Sequence, residues 1–236
     1  MADSMALLLS CEHGGNLVPD PYRALFEGHT ALLQTHRGYD IGILPLARQL
    51  ARELAAPIEI AEVTRLLVDL NRSPTHPALF SFITRDLSRT EKEGILRRHY
   101  RPYRQAVEMQ AAKLVEKGRR VVHIAVHSFT PELHGQLRNA DIGLLYDPAR
   151  PLEKSFCLLW QKELAASAPQ LRIRRNYPYR GAADSLGKTL RRRFDASDYL
   201  AIELEINQRI PTRDGATWEK VKSVLVESLR ERLAPP

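Results

Sequence analysis

Seven short apolar runs, spaced between helical patterns, constrain this chain more than any other feature. They are Leu7–Ser10, Ile58–Ile60, Leu67–Asp69, Val121–His127, Ile142–Tyr146, Leu171–Arg174 and Leu200–Glu205. Some run continuously apolar rather than alternating, the mark of strands covered on both faces. Helical spacing falls between them: 42–55, with Leu44, Ala47, Leu50, Ala51 and Leu54 on one stripe, then 88–117, 152–166 and 216–233. Within 88–117, Pro102 predicts a kink or a new segment. Strands alternating with helices predict an α/β fold with a largely parallel sheet. No internal repeat, low-complexity tract or boundary divides the 236 residues, so a single domain over 1–236 is expected.

Two of the runs end alike. Met5–Leu9 leads into S-C-E-H-G-G-N-L-V-P (Ser10 to Pro19), and Val121–Val126 leads into His127-Ser128-Phe129-Thr130-Pro131. In open α/β sheets, ligands sit beyond the carboxyl ends of strands. His13, Asp69, Asn71, Arg72, His127 and Glu205 all fall at or just past such ends. Imidazole is the commonest protein ligand for zinc, and a catalytic zinc keeps three protein ligands and one open position. His13 and His127 are candidates for two of the three; the competing reading is hydrogen bonding at strand ends. Gly14 and Gly15 allow the backbone to pass close to a metal or substrate.

The third place is open among Asp40, Glu12, His36 and Asn16. Asp40, in T-H-R-G-Y-D-I-G, is the better candidate, although an acid before a helix also serves as a cap. Glu12 neighbours His13, and neighbours on a strand point to opposite faces. In D-L-N-R, the Arg72 guanidinium and Asn71 amide suit a carboxylate. Arg65 lies a little upstream on the same segment. In L-A-I-E-L-E-I-N-Q, Glu203 and Glu205 share one face of an apolar strand. A buried Glu there can move a proton between water and a leaving amine; a structural pairing with arginines is the alternative.

These pieces, in order from Ser10 to about Gln208, resemble the N-formylglutamate amidohydrolase family; T-R-L-L-V-D-L-N-R, A-V-H-S-F-T-P, D-I-G-L-L-Y and N-Y-P-Y-R-G complete the set. The resemblance implies a phosphorylase/hydrolase-like three-layer α/β/α sandwich around a mixed sheet, related to zinc carboxypeptidases and aspartoacylases. It implies one Zn2+ per chain on His13, Asp40 and His127, with Glu205 as general base and acid. Asn71 and Arg72 are then expected on a substrate carboxylate, and Arg65 and Arg180 in the same pocket. The expected substrate is a small acidic N-acyl amino acid, N-formyl-L-glutamate first. The chain departs from the carboxypeptidase His-x-x-Glu pattern at Asn16, and its compact length predicts shortened loops over the site.

A net charge of +7 suits acidic substrates, and it also admits phosphate binders. Arg clusters at 96–104, 172–175 and 190–193 make nucleic acid the alternative partner of another class. A larger peptide or peptidoglycan-type amide is the alternative substrate. Two cysteines make no disulfide framework, and a reducing cytoplasm is expected. Residues 1–4 carry no positive signal region, and no stretch reaches the roughly 20 apolar residues of a membrane span.

Overall fold

The structure, a computed structural model, describes residues 5–234; residues 1–4, on which the signal-peptide expectation rests, lie outside them. In chain order the elements are β1 (Met5–Cys11), a 3-10 turn (Asp20–Phe26), α1 (Thr30–Leu33), α2 (Ile43–Glu53), β2 (Ile58–Ile60), α3 (Arg89–Ile95), α4 (Arg101–Glu116), β3 (Arg120–Phe129), β4 (Glu132–Leu133), β5 (Gln136–Leu137), β6 (Ile142–Leu145), α5 (Pro151–Ser167), β7 (Ile173–Arg175), α6 (Leu186–Leu190), β8 (Tyr199–Asn207) and α7 (Gly215–Leu233). Six strands pair in the order β2-β1-β3-β8-β6-β7. The first four are mutually parallel; β6 runs antiparallel to β8, and β7 follows β6. β4 and β5 form a separate two-stranded hairpin.

Alternate strand residues feed two cores. Leu7, Leu9, Ile124, Val126, Ile202 and Leu204 meet Leu46, Leu50, Trp160 and Leu225 from α2, α5 and α7. On the other face Leu8, Val121, Tyr199 and Ala201 meet Tyr103, Val107, Leu186 and Leu190 from α4 and α6. The result is a three-layer α/β/α sandwich, and the double cover explains the unbroken apolar runs. Helix α2 buries Ile43, Leu46, Ala47 and Leu50, a face turned slightly from the expected stripe. Among the described residues, no helix is long and apolar enough to cross a membrane.

Two expected elements differ. The 88–117 helix is broken in the middle. Ser88 and Glu91 form a capping box that starts α3. Leu96–Tyr100 then makes one wide π turn, with the Arg101 N–H reaching the Leu96 carbonyl, and Pro102 sits in the first turn of α4. Proline has no N–H and crowds the carbonyl four residues back, and the wider turn accommodates it. Leu67–Asp69 is not a strand. It is a buried turn whose backbone is satisfied by Leu67 N–H to Thr64 O (3.0 Å), Thr84 Oγ1 to Leu67 O (3.0 Å) and Asp69 N–H to Leu79 O (2.9 Å). Its apolar residues fill the α4-side core without a sheet partner.

Candidate active site

The site is assembled where β1, β3 and β8 end. His127 and Glu205 are register partners across the β3–β8 ladder, so period-two alternation places them on one face. On the other side of Glu205, β6 contributes Gly143. A Cβ there would run into the Tyr177 carbonyl and lie 3.2 Å from the Glu205 Cβ. Glycine thus lets the 176–181 segment cross directly over the Glu205 position. His13 follows β1, and Gly14 N–H bonds to Ala61 O at 2.9 Å. A Cβ on Gly15 would strike the Glu62 backbone. The close pass that the two glycines allow is therefore to backbone at 61–62, rather than to a ligand as their motif implied.

His13, Asp40 and His127 converge, all buried. Asp40 Oδ2 lies 2.9 Å from His127 Nδ1 and 3.5 Å from His13 Nδ1. The Asp40 carboxylate does not cap α2, whose N-cap is Gly42 without a side-chain bond. Ser128 N–H donates to Asp40 Oδ2 at 3.2 Å, and Arg65 reaches Asp40 Oδ1 at the same distance. Behind each imidazole stands another carboxylate. His13 Nε2 is 2.8 Å from Asp69 Oδ1, which also accepts the Asn71 N–H; Asp69 Oδ2 takes Arg65 at 2.7 Å. His127 Nε2 is 3.1 Å from Glu12 Oε2, a contact off the hydrogen-bond direction. Of the other contenders for the third place, Glu12 sits behind the ring, Asn16 donates to Leu33 O at 3.0 Å, and His36 is exposed.

His13 Nδ1 is buried without a hydrogen-bond partner. Such an atom costs about 1–3 kcal/mol unless something binds it. The three side chains present ligand atoms within 4.8 Å of one another, a group able to hold a metal ion. The electrostatics agree with a caged cation. Burial would raise the Asp40 carboxyl, but His13, His127 and Arg65 hold it well below its ordinary value. Asp69 is likewise depressed, by Arg65 and His13 against burial. Burial would lower His127, yet Asp40 and Glu12 push it well above its ordinary value.

Glu205 behaves oppositely. Burial pushes its pKa up to about 8, with Asp40 and Glu203 adding to the rise and His127 opposing it. Its Oε2 is buried and unpartnered. A carboxyl held near neutrality at the wall of a cleft is suited to proton transfer.

All eight singled-out residues (His13, Asp40, Arg65, Asn71, Arg72, His127, Arg180 and Glu205) line one cavity of about 350 Å³. Arg65 is occupied by two carboxylates, whereas among the described residues Arg72 donates only to the Asp184 carbonyl, at 3.1 Å. The Asn71 amide oxygen accepts the Leu186 N–H at 2.8 Å. Tyr179, Asp184 and Ser128 share the wall and were missed as individuals. Tyr179 lies in the N-Y-P-Y-R-G loop and Ser128 in the A-V-H-S-F-T-P segment that the sequence marked; Asp184 carried no signal. The arginine clusters do not form one basic face: Arg104 and Arg191 are buried, Arg191 against Glu153 at 2.9 Å.

The cleft suits the hydrolysis of an amide, and the family match shows a hydrolase of that class. Residues 5–210 match the family model described as N-formylglutamate amidohydrolase, and the chain belongs to that family. Among solved structures it is similar to a gene product of Agrobacterium tumefaciens (28% identity, TM-score 0.78, covering 98% of this chain and 90% of that one). It also shares its fold with an N-formylglutamate amidohydrolase from Ralstonia eutropha (19% identity, TM-score 0.71, covering 98% and 93%). No curated protein matches the chain significantly.

Proposed function

We propose that this single-domain chain is a zinc-dependent amidohydrolase that cleaves a small acidic N-acyl amino acid, N-formyl-L-glutamate first, to formate and glutamate. The observation that carries the reading is the buried convergence of His13 Nδ1, His127 Nδ1 and Asp40 Oδ2 beside Glu205. Two imidazoles and a carboxylate, with room for a fourth ligand, suit one Zn2+. Bound zinc supplies Lewis acidity toward a water and the acyl oxygen, and as a nearby positive charge it draws Glu205 toward its ionised form.

The chain's own residues do the rest. Arg72, with Asn71 beside it, holds a substrate carboxylate. Among the described residues neither Arg72 nor Arg180 has an acidic partner, so both cations are available to a dicarboxylate. Arg65 keeps Asp40 and Asp69 in place while bordering the same cleft. Glu205 takes a proton from the attacking water as it adds to the formyl carbon, then returns it to the departing amine. A cytoplasmic setting fits the two buried free thiols, Cys11 and Cys157; no nucleic acid enters this reading.

The test is metal content by elemental analysis of the wild type beside His13→Ala and His127→Ala, followed by an assay on N-formyl amino acids. Near-stoichiometric zinc, lost in both variants, with N-formyl-L-glutamate preferred over N-formyl-L-leucine, is expected. Absence of metal after zinc is supplied removes the reading; equal turnover of both substrates removes its substrate.

A further inference from the structure

Glu12 is fully buried, and no cation from Lys or Arg reaches it among the described residues. Its Oε1 lies 3.3 Å from the Tyr103 hydroxyl, whose single proton it shares with the Glu59 carbonyl at 3.2 Å, and its Oε2 lies 3.1 Å from His127 Nε2. Tyr103 is itself fixed by the Cys11 N–H, which donates to its oxygen at 3.1 Å. The other group near His127 Nε2 is the Asn71 amide nitrogen, at 3.4 Å. That amide is oriented by the Leu186 N–H on its oxygen, so it presents only donors to the ring. With His127 Nδ1 turned to the metal cage, Nε2 must carry the ring proton; the carboxylate beside it is Glu12, whose Oε2 stands 3.1 Å away and off the hydrogen-bond line until the ring is engaged.

The two imidazoles differ in this respect. The carboxylate behind His13 is shared with Arg65, at 2.7 Å, and with a backbone N–H. Glu12 faces His127 without a competing guanidinium. We infer that Glu12 is a positioning residue: from behind the ring it holds His127 with Nδ1 facing the cage and strengthens that nitrogen as a ligand. Groups of this kind raise metal affinity without touching the ion. The inference rests on the metal reading above.

The experiment is a zinc competition titration against a chromophoric chelator, on the full chain, with the melting temperature of the metal-free protein measured alongside. Glu12→Gln keeps the shape but weakens the acceptor. It is expected to lower zinc affinity roughly 10- to 100-fold, with the metal-free protein melting no lower than the wild type. A variant that binds zinc as tightly as the wild type overturns the inference, and so does one that only melts lower. If Glu12→Gln does not fold, Tyr103→Phe decides: loosening the carboxylate should cost affinity several-fold, and an unchanged value overturns the proposal. A wild type that takes up no zinc overturns the metal reading itself, a result distinct from the other two.

Discussion

Single side chains in this cleft trade stability against chemistry, and Glu205 shows it most directly. Its folded pKa of about 8 stands above the ordinary 4.5, so folding takes up a proton between those values. Stability from this group is complete below about pH 4.5 and is lost as pH rises through 8. Glu205→Gln has no such proton. It should raise the melting temperature of the metal-free protein most near pH 8 and hardly at pH 4.5, as a pH series of thermal melts would show. The same variant should lose roughly 10²- to 10⁴-fold in kcat with zinc still bound. A melting difference that does not vary with pH would disprove the buried neutral carboxyl. Arg72→Ala should act on binding instead. Loss of a charge-assisted contact worth roughly 1.5–3 kcal/mol predicts a KM about 10- to 100-fold higher, with kcat little changed. Steady-state kinetics on N-formyl-L-glutamate separate the two effects.

At the scale of elements, the site depends on how closely the segments around the strand ends pass one another. Gly15 runs against the Glu62 backbone, where a Cβ has no room. Gly15→Ala should therefore destabilise the fold by about 1–3 kcal/mol, read as a lower denaturation midpoint with unchanged slope. A neutral effect would mean that the two segments part easily. This closeness also bears on what the sequence could reveal. Strands β1, β3 and β8 were legible because burial on both faces leaves continuous apolar runs, and their histidines and Glu205 were legible because they break those runs. The turn at Leu67–Asp69 was not legible, since burial alone gives it the same signature as a strand. The π turn before Pro102 depends on a local accommodation that helical spacing does not encode. The placement of Glu12 behind His127 was hidden for another reason. Glu12 follows β1 and His127 lies on β3, and only the pairing of those two strands brings them together.

For the whole molecule, the proposed metal site links metal uptake to protons. His127 is held well above its ordinary pKa by Asp40 and Glu12 against burial, which favours the charged imidazole in the metal-free protein. A metal that takes Nδ1 must displace that proton. Zinc binding at pH 7 should release protons, from His127 and from Glu205 as it ionises, and affinity should fall as the pH drops. Calorimetric titration in buffers of different ionisation enthalpy measures the release directly; a buffer-independent heat would contradict it. Chelation should lower the melting temperature as well as the activity, because a ligand bound only by the folded state stabilises it. A division of labour runs through the architecture too. In the proposed assignment, proton transfer belongs to the paired strands, with Glu205 locked between β3 and β6. Arg72, Tyr179, Arg180 and Asp184 sit instead on irregular segments at the rim. Selectivity is then a replaceable part: exchanging the 176–185 segment between relatives would carry a substrate preference from one protein to another and leave the hydrolytic centre as it was.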